Sequence, residues 1–393
     1  MRFVINGIGI AGPTLAYWLR RSGHDVLLIE QAPAIRTGGY VIDFWGVGYD
    51  VAEKMGLLPR IHQLGYRVRD VRFVDARGRR TGGFSAGVFE RMTNGRFTSL
   101  RRSDLSRVIH DMLDGQVEVV LGDSITAIDE RPDAVHVRFE QAPPREVDVV
   151  IGADGLHSRV REIAFGGVPS LETPLGYHVA AFEIEGYRPR DELVYVSHGV
   201  AGKQISRFAL RDDKTLFLFL FRDQYLADLG AWRERDRKQV LARVFAEVGW
   251  ECPQILAALS SVDDLYFDSV SQIRLPQWTS GRTALVGDAA ACVSLLAGEG
   301  TGLAMAEAYT LAAMLRSCGE YRAAFGRYQD LLMPLVRRKQ DSAFKLASTF
   351  VPKTALGVMF RNTVTRLLGM PILADYLVGR DLRDDFQLPE VTW

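Results

Sequence analysis

The sequence predicts an α/β (α+β) chain: a Rossmann-like dinucleotide-binding domain, an interleaved antiparallel-sheet domain and a set of C-terminal helices. Three observations carry that prediction. The first 30 residues run strand, glycine turn, helix, strand; residues 174–271 are dominated by strand-like segments; and residues 283–286 return to an apolar strand that feeds a helix of small residues.

In the opening unit, residues 2–6 read as a strand that leads directly into the glycines. Residues 13–22 are helical, with Leu15, Trp18 and Leu19 on one face and Gly23 at the end. Residues 25–30 (DVLLIE) are an apolar strand of the kind buried on both faces in a parallel sheet. The glycine-rich stretch 36–48 is expected to be loop and short extended structure. A helix over 103–114 and strands at 117–121, 125–129, 134–139 and 146–151 follow. The texture then changes to strands at 177–184, 193–197, 205–210 and 215–221, with one strong helix at 234–248. Residues 354–377 read as amphipathic helices broken at Pro371. No repeat or low-complexity segment interrupts this plan. The pattern divides into residues 1–70, 98–173 and 274–338 for the nucleotide domain, 71–97 and 174–273 for the sheet domain, and 339–393 for the C-terminal helices.

Composition narrows the function. Lys+Arg and Asp+Glu both number 48, so the formal net charge is zero, and a phosphate-tracking nucleic-acid binder needs a basic excess. Cys252, Cys292 and Cys318 form no CxxC pair, which implies neither a disulfide framework nor a zinc site. The seven histidines show no metal-ligand spacing. No leader precedes the first strand and no apolar run of ~18 residues is present, so a cytoplasmic protein without stable membrane association is expected.

Three motifs carry chemistry. Gly7-Ile8-Gly9-Ile10-Ala11-Gly12 matches GxGxxG between a strand and a helix, where the glycines permit a tight turn, close approach of a pyrophosphate and tight helix packing. Glu30 closes the next strand 18 residues after Gly12, where a carboxylate accepts hydrogen bonds from a ribose diol. The second motif is Gly152-Ala153-Asp154-Gly155-Leu156-His157-Ser158-Arg159-Val160-Arg161. The third is Gly287-Asp288-Ala289-Ala290, which runs into Gly298-Glu299-Gly300-Thr301-Gly302.

In this order and spacing the motifs resemble those of the class A flavoprotein monooxygenases of the para-hydroxybenzoate hydroxylase type, over nearly the whole chain. Within that family the segments GIGIAGPTLAYWL, RTGGYVIDFWG and GDAAACVSLLAGEGTGLAMAEAY are most similar to the tetracycline-inactivating and polyketide-hydroxylating enzymes. The resemblance implies FAD, held by Gly7, Gly9, Ile10, Ala11, Gly12, Glu30 and Gln31 at its adenosine end. It assigns Arg36 and Arg102, with Gly38 and Gly39, to the phosphates or the nearby ribityl chain; Arg36 also reads as a surface loop charge. It places Asp154 and Gly155 where the flavin and nicotinamide regions meet, with Arg159 holding that loop through backbone bonds. Gly287 and Asp288 would meet the ribityl chain, and Gly298, Gly300, Thr301 and Gly302 the flavin pyrimidine edge. Ala291, Ser294-Leu295-Leu296 and Glu299 depart from the common pattern near the reacting edge.

The activity implied is hydroxylation of a phenolic or polycyclic, tetracycline-like substrate through a flavin C4a-hydroperoxide. It consumes O₂ and NAD(P)H, the latter as a transient co-substrate. Tyr177, His178, Phe182, Phe219 and Arg222 are candidates to line the substrate pocket, although aromatics alternating on a strand are more often core, and Arg222 could equally be a solvated strand end. Residues 339–377 resemble a helix that closes the active site, but read alone they are also a packing helix or a contact in a homodimer. The alternatives are a related reductase or halogenase, the latter without its usual W-x-W-x-I-P stretch here, and a flavin-containing binding protein without turnover.

Overall fold

The computed structural model describes residues 1–35, 40–166, 172–230, 232–367 and 386–393, without the side chains of 297 and 344–350. The chain opens with the parallel unit β1 (Arg2–Asn6), α1 (Ala11–Arg21) and β2 (Asp25–Glu30). Next come β3 (Val41–Trp45), α2 (Gly46–Lys54) and α3 (Leu58–Leu64), then β4 (Asp70–Val74) and β5 (Arg80–Ser85). After α4 (Gly87–Met92), β6 (Phe97–Arg101) pairs antiparallel with β3 and runs into α5 (Arg102–Asp111). β7 (Glu118–Leu121) lies beside β2. An antiparallel ribbon of β8 (Ile125–Glu130), β9 (Val135–Phe139) and β10 (Arg145–Val147) then leads to β11 (Val149–Gly152).

Beyond α6 (Arg159–Phe165), the chain builds a second layer from β12 (Glu172–Glu185), β13 (Val194–Val200), β14 (Lys203–Ala209) and β15 (Lys214–Arg222). Helices α7 (Gln224–Ala227), α8 (Arg237–Phe245) and α9 (Cys252–Ala258) precede β16 (Tyr266–Ile273). β17 (Thr279–Ser280) and β18 (Thr283–Leu285) return to the first layer. Helices α10 (Asp288–Ala291), α11 (Gly300–Cys318), α12 (Tyr321–Phe350) and α13 (Ala355–Leu367) follow.

The first sheet has the order β17-β18-β11-β1-β2-β7, and the second β16-β12-β15-β14-β13-β4-β5. In the first, β18, β11, β1, β2 and β7 run parallel, and the interiors of the central strands (Phe3 to Ile5, Val26 to Ile29, Val149 to Ile151) are apolar, as burial on both faces requires.

Two local expectations are revised. In the glycine-rich stretch 36–48, β3 is short extended structure as expected, but a helix, α2, begins inside it at Gly46, whose φ is +66°. Gly48 is there for contact, because a Cβ on it would lie 2.2 Å from Gly302 Cα, where α2 crosses α11. The helix expected over 234–248 is shorter. It starts where the Asp236 carboxylate accepts the Lys238 N–H at 2.9 Å and ends at Phe245. Pro371 lies outside the described residues.

The second sheet has two differently covered faces, and its register assigns each side chain to one of them. Phe73, Ser197, Ser206, Leu218, Ala181 and Tyr266 are successive partners across one face; Gly199, Gln204, Leu220, Val179 and Asp268 form the next row. This inner face looks towards the first layer: Tyr177, Val179, Leu220 and Val270 pack with Leu296 and Val351, and Leu218 and Tyr266 pack near Tyr40 and Val41. The outer face carries Phe182, Phe217, Phe219 and Phe221, buried under Val240, Leu241, Val244, Phe245 and Ile255 of α8 and α9. α13 lies on the inner face, where the buried Arg361 donates to Gln204 at 2.5 Å and stacks 4.3 Å from the Phe73 ring centroid.

Candidate flavin site

The three motifs converge because their strands are neighbours. β18, β11, β1 and β2 lie side by side, and their carboxyl ends carry Gly287-Asp288, Ala153-Asp154, the GIGIAG turn and Glu30 respectively. Ligands of doubly wound sheets sit outside such strand ends. The contacts between motifs are close enough to demand glycine. Gly7 has φ +112°, and a Cβ on it would lie 2.4 Å from the Ala153 carbonyl oxygen. A Cβ on Gly12 would lie 2.0 Å from the Gly7 oxygen, and one on Gly287 (φ +65°) would meet Ala11 Cβ at 3.1 Å and Ala304 Cβ at 3.5 Å.

Gly9 differs from its two companions. A Cβ there would meet only Arg102 Nη2, at 3.7 Å, so this glycine borders open space under a guanidinium. The amides of Gly9, Ile10, Ala11 and Gly12 make no hydrogen bond among the described residues; α1 has no acidic residue in its first turn and no side-chain cap. The Arg102 side chain likewise makes no hydrogen bond or ion pair among the described residues, and its backbone N–H donates to the Tyr40 carbonyl at 3.1 Å. Four open amides at a helix N-terminus facing an unpartnered guanidinium fit a pyrophosphate. Arg102→Ala is therefore expected to raise the FAD dissociation constant about tenfold to a hundredfold, the worth of one charged hydrogen bond or two. Because the side chain holds no protein partner, the flavin-free melting temperature should stay unchanged; fluorescence titration with FAD and a thermal melt check both halves.

Glu30 supports the turn from below. Its Oε2 accepts the Ile8 N–H and its Oε1 the Ala32 N–H, each at 2.9 Å, which leaves one lone pair on each oxygen for a ribose. Gln31 follows, exposed. Arg36, Gly38 and Gly39 lie outside the described residues.

Asp154 is held in place by donors from β1 and from the start of α6. Its carboxylate accepts from Asn6 Nδ2 (2.9 Å), Ser158 Oγ (2.5 Å) and the N–H groups of Arg159 (2.9 Å) and Val160 (3.1 Å). It thus ties β1 to the start of α6, while Gly155, at φ +80°, turns the chain between them. Arg159 holds this loop through its backbone N–H to Asp154, while its guanidinium pairs with Glu140 at the surface. Arg161 adds a side-chain brace, donating to the carbonyls of Leu156 at 2.6 Å and Ala289 at 3.1 Å, so one side chain joins the second and third motifs. The spacing S-x-x-R, which runs from Ser158 to Arg161, was the available signal for this residue.

At the third motif, the Gly287 N–H donates to Glu307 Oε2 at 2.5 Å. Glu307 is buried on α11, and burial pushes its carboxyl well above the carboxylate range. Burial likewise pushes up the Cys292 thiol, with Asp288 adding to the effect. Gly298 is left-handed (φ +69°), and the amides of Gly300, Thr301 and Gly302 open α11 without a hydrogen bond among the described residues. A Cβ on Gly300 would sit 3.8 Å from Asp288 Oδ1, which places the carboxylate beside this helix end. Tyr40, inside the segment RTGGYVIDFWG, and Tyr266, which no motif signalled, line the boundary between this end and the second sheet, with ring centroids 5.8 Å apart. Burial raises both phenols, Tyr40 to about 12, although Arg102 opposes the shift.

The five pocket candidates divide between the faces of the sheet. Tyr177 and Arg222 are cross-strand partners on the inner face, where Arg222 Nη2 donates to the Tyr177 hydroxyl at 2.5 Å and the guanidinium lies 4.6 Å from the ring centroid. His178, Phe182 and Phe219 point the other way and are corrected to outer-face positions. Phe182 and Phe219 belong to the core beneath α8. His178 pairs with Asp223 at 2.9 Å and packs on Phe221, Trp232 and Phe267. The run FLFLF is apolar on both faces, so only the register tells them apart.

Among the described residues, no acidic, histidine and cysteine cluster could hold a metal ion, and no helix is long and apolar enough to cross a membrane.

Comparison with known proteins agrees with this geometry. The family model described as FAD binding domain matches residues 2–323. A flavin-dependent monooxygenase of an unknown prokaryotic organism is 32% identical over 357 residues, covering 90% of each chain. One from Legionella longbeachae is 32% identical over 364 residues, again covering 90% of each. The crystal structure of the tetracycline destructase Tet(51) superposes with a TM-score of 0.83 at 30% identity, covering 99% of both chains. Klebsiella pneumoniae HpxO, crystallised with FAD and uric acid, superposes at 0.79 with 25% identity, covering 97% of this chain and 96% of its own. Strand ends, open amides and relatives agree: the chain belongs to the FAD-binding-domain family and is a class A FAD-dependent monooxygenase.

Proposed function

We propose that the chain oxygenates a phenolic or enolic polycyclic, tetracycline-like molecule, with NAD(P)H as reductant and O₂ as co-substrate. The observation that carries this reading is Arg222. Its guanidinium lies at the end of an inner-face wall formed by Leu218, Leu220 and Val179, held against Tyr177, with a buried Nε that has no hydrogen-bond partner. A cation beside an apolar wall suits a flat molecule whose acidic hydroxyl ionises to an enolate or phenolate. The likeness to tetracycline destructases supports the same class.

FAD, when bound, supplies the redox and oxygen chemistry. The amides at the start of α1 and Arg102 would hold its pyrophosphate, Glu30 the ribose, and Asp288 with the amides of Gly300, Thr301 and Gly302 the ring end. The chain's own contribution is to orient the substrate through Arg222 and Tyr177, and to exclude water with the leucine wall, Tyr40 and Tyr266.

Purified protein should oxidise NADPH or NADH faster when a tetracycline or a related polycyclic phenol is added, and the product should carry one added oxygen atom by mass spectrometry. Arg222→Ala should raise KM about tenfold or more with a smaller change in kcat, and Arg222→Lys should recover part of it. No stimulation by any phenol or enol of such a panel, or an unchanged KM in Arg222→Ala, would refute the substrate class.

A further inference from the structure

One charged pair stands beside the flavin-ring end of the site and is used by nothing described above. Lys339 of α12 reaches Glu299 at the N-terminus of α11, with Nζ 2.7 Å from Oε2 and side chains only 13% and 15% exposed. Glu299 immediately precedes Gly300, so its carboxylate stands at the helix end whose amides open towards the ring. We propose that Lys339 is a positioning residue for the redox half of the reaction: by neutralising Glu299 it keeps this helix end available to the negative charge that arrives with the electrons.

The argument is electrostatic. A helix N-terminus carries a partial positive charge that favours an anion close by. A carboxylate at the same end claims that potential and repels a second anion. A pair this sheltered is poorly screened by salt, so removing either member leaves a charge felt at short range. The two single removals act in opposite directions. Without Lys339 the ionised Glu299 opposes reduced, anionic flavin. Without Glu299 the ammonium favours it. Removing both restores near-neutrality.

The inference rests on the placement of the flavin ring at Gly300, Thr301 and Gly302. Its test is the two-electron midpoint potential of bound FAD, measured by dye equilibration in Lys339→Met, Glu299→Gln and the double variant. Lys339→Met should lower the potential and Glu299→Gln raise it. Each should change the ratio of affinities for reduced and oxidised flavin about tenfold, or about 30 mV, with the double variant close to the parent. A purely structural bridge would lower the melting temperature of both single variants and leave their potentials where they were, which would overturn the proposal. If Lys339→Met does not fold, Glu299→Gln decides alone by the sign of its shift. Flavin content separates this failure from failure of the placement. Potentials that stay put in fully loaded variants sink only the role of the pair, whereas full FAD retention by Asp288→Ala and Gly300→Val shows that the ring lies elsewhere.

Discussion

Gly9→Val should give a folded protein that does not retain FAD. The glycines of the GIGIAG turn are equivalent in the motif but not in space. A side chain on Gly7 would lie 2.4 Å from the Ala153 oxygen, in a backbone region (φ +112°) that L residues avoid, and one on Gly12 would lie 2.0 Å from the Gly7 oxygen. Valine at either place must displace backbone, a cost of about 3 kcal/mol or more to the fold itself. At Gly9 the nearest atom to a new Cβ is the tip of Arg102 at 3.7 Å, so the flavin-free protein should lose less than about 1 kcal/mol. The branch fills the space above four open amides. Losing two charge-assisted hydrogen bonds to phosphate there costs about 3–6 kcal/mol, or about two to four orders of magnitude in affinity. Flavin content after gel filtration and urea unfolding of the flavin-free proteins separate the cases. Stoichiometric FAD in Gly9→Val, or a stability loss equal to that of Gly12→Val, would contradict the geometry.

Asp154→Ala should cost the protein about 3 kcal/mol of stability before any cofactor is added. One carboxylate serves four donors, from Asn6, Ser158, Arg159 and Val160, and so fastens the end of β1 to the first turn of α6. Alanine leaves those donors without their acceptor, two of them backbone amides at a helix start, where losing a cap alone costs about 1 kcal/mol. Asp154→Asn keeps one acceptor oxygen and should lose roughly half as much. Urea unfolding of the flavin-free variants measures this. A variant that unfolds like the parent while losing FAD would make Asp154 a cofactor ligand rather than a brace.

Different parts of the molecule were legible in the sequence to different degrees. The βαβ unit could be read directly because its signals are local: apolar strands, a glycine turn, and a helix with Leu15, Trp18 and Leu19 on one face. Within 36–48 the glycines hide the start of a helix, because Gly48 marks the contact of α2 with α11, far away in the chain. Arg159 and Arg161 both end the second motif, and composition cannot say which guanidinium turns inward. Packing against Leu156 and Ala289 decides for Arg161. Tyr266 and Lys339 lie in no motif, and Tyr40 and Glu307 lie inside family-like segments without being marked there, since each acquires its role from an element distant in sequence.

The sequence alone determined the opening βαβ unit, the glycine turn at Gly7 to Gly12 and the resemblance to the family, because these rest on backbone sterics and on residues close in the chain. Only the tertiary structure decided which side of the second sheet Tyr177, His178, Phe182, Phe219 and Arg222 occupy. Side chains on a strand alternate, and a run that is apolar on both sides carries no mark of direction until its neighbours fix the register. β12 and β15, paired Tyr177 to Arg222 and Phe182 to Phe217, turn two of the five candidates towards the first layer and three beneath α8 and its neighbours.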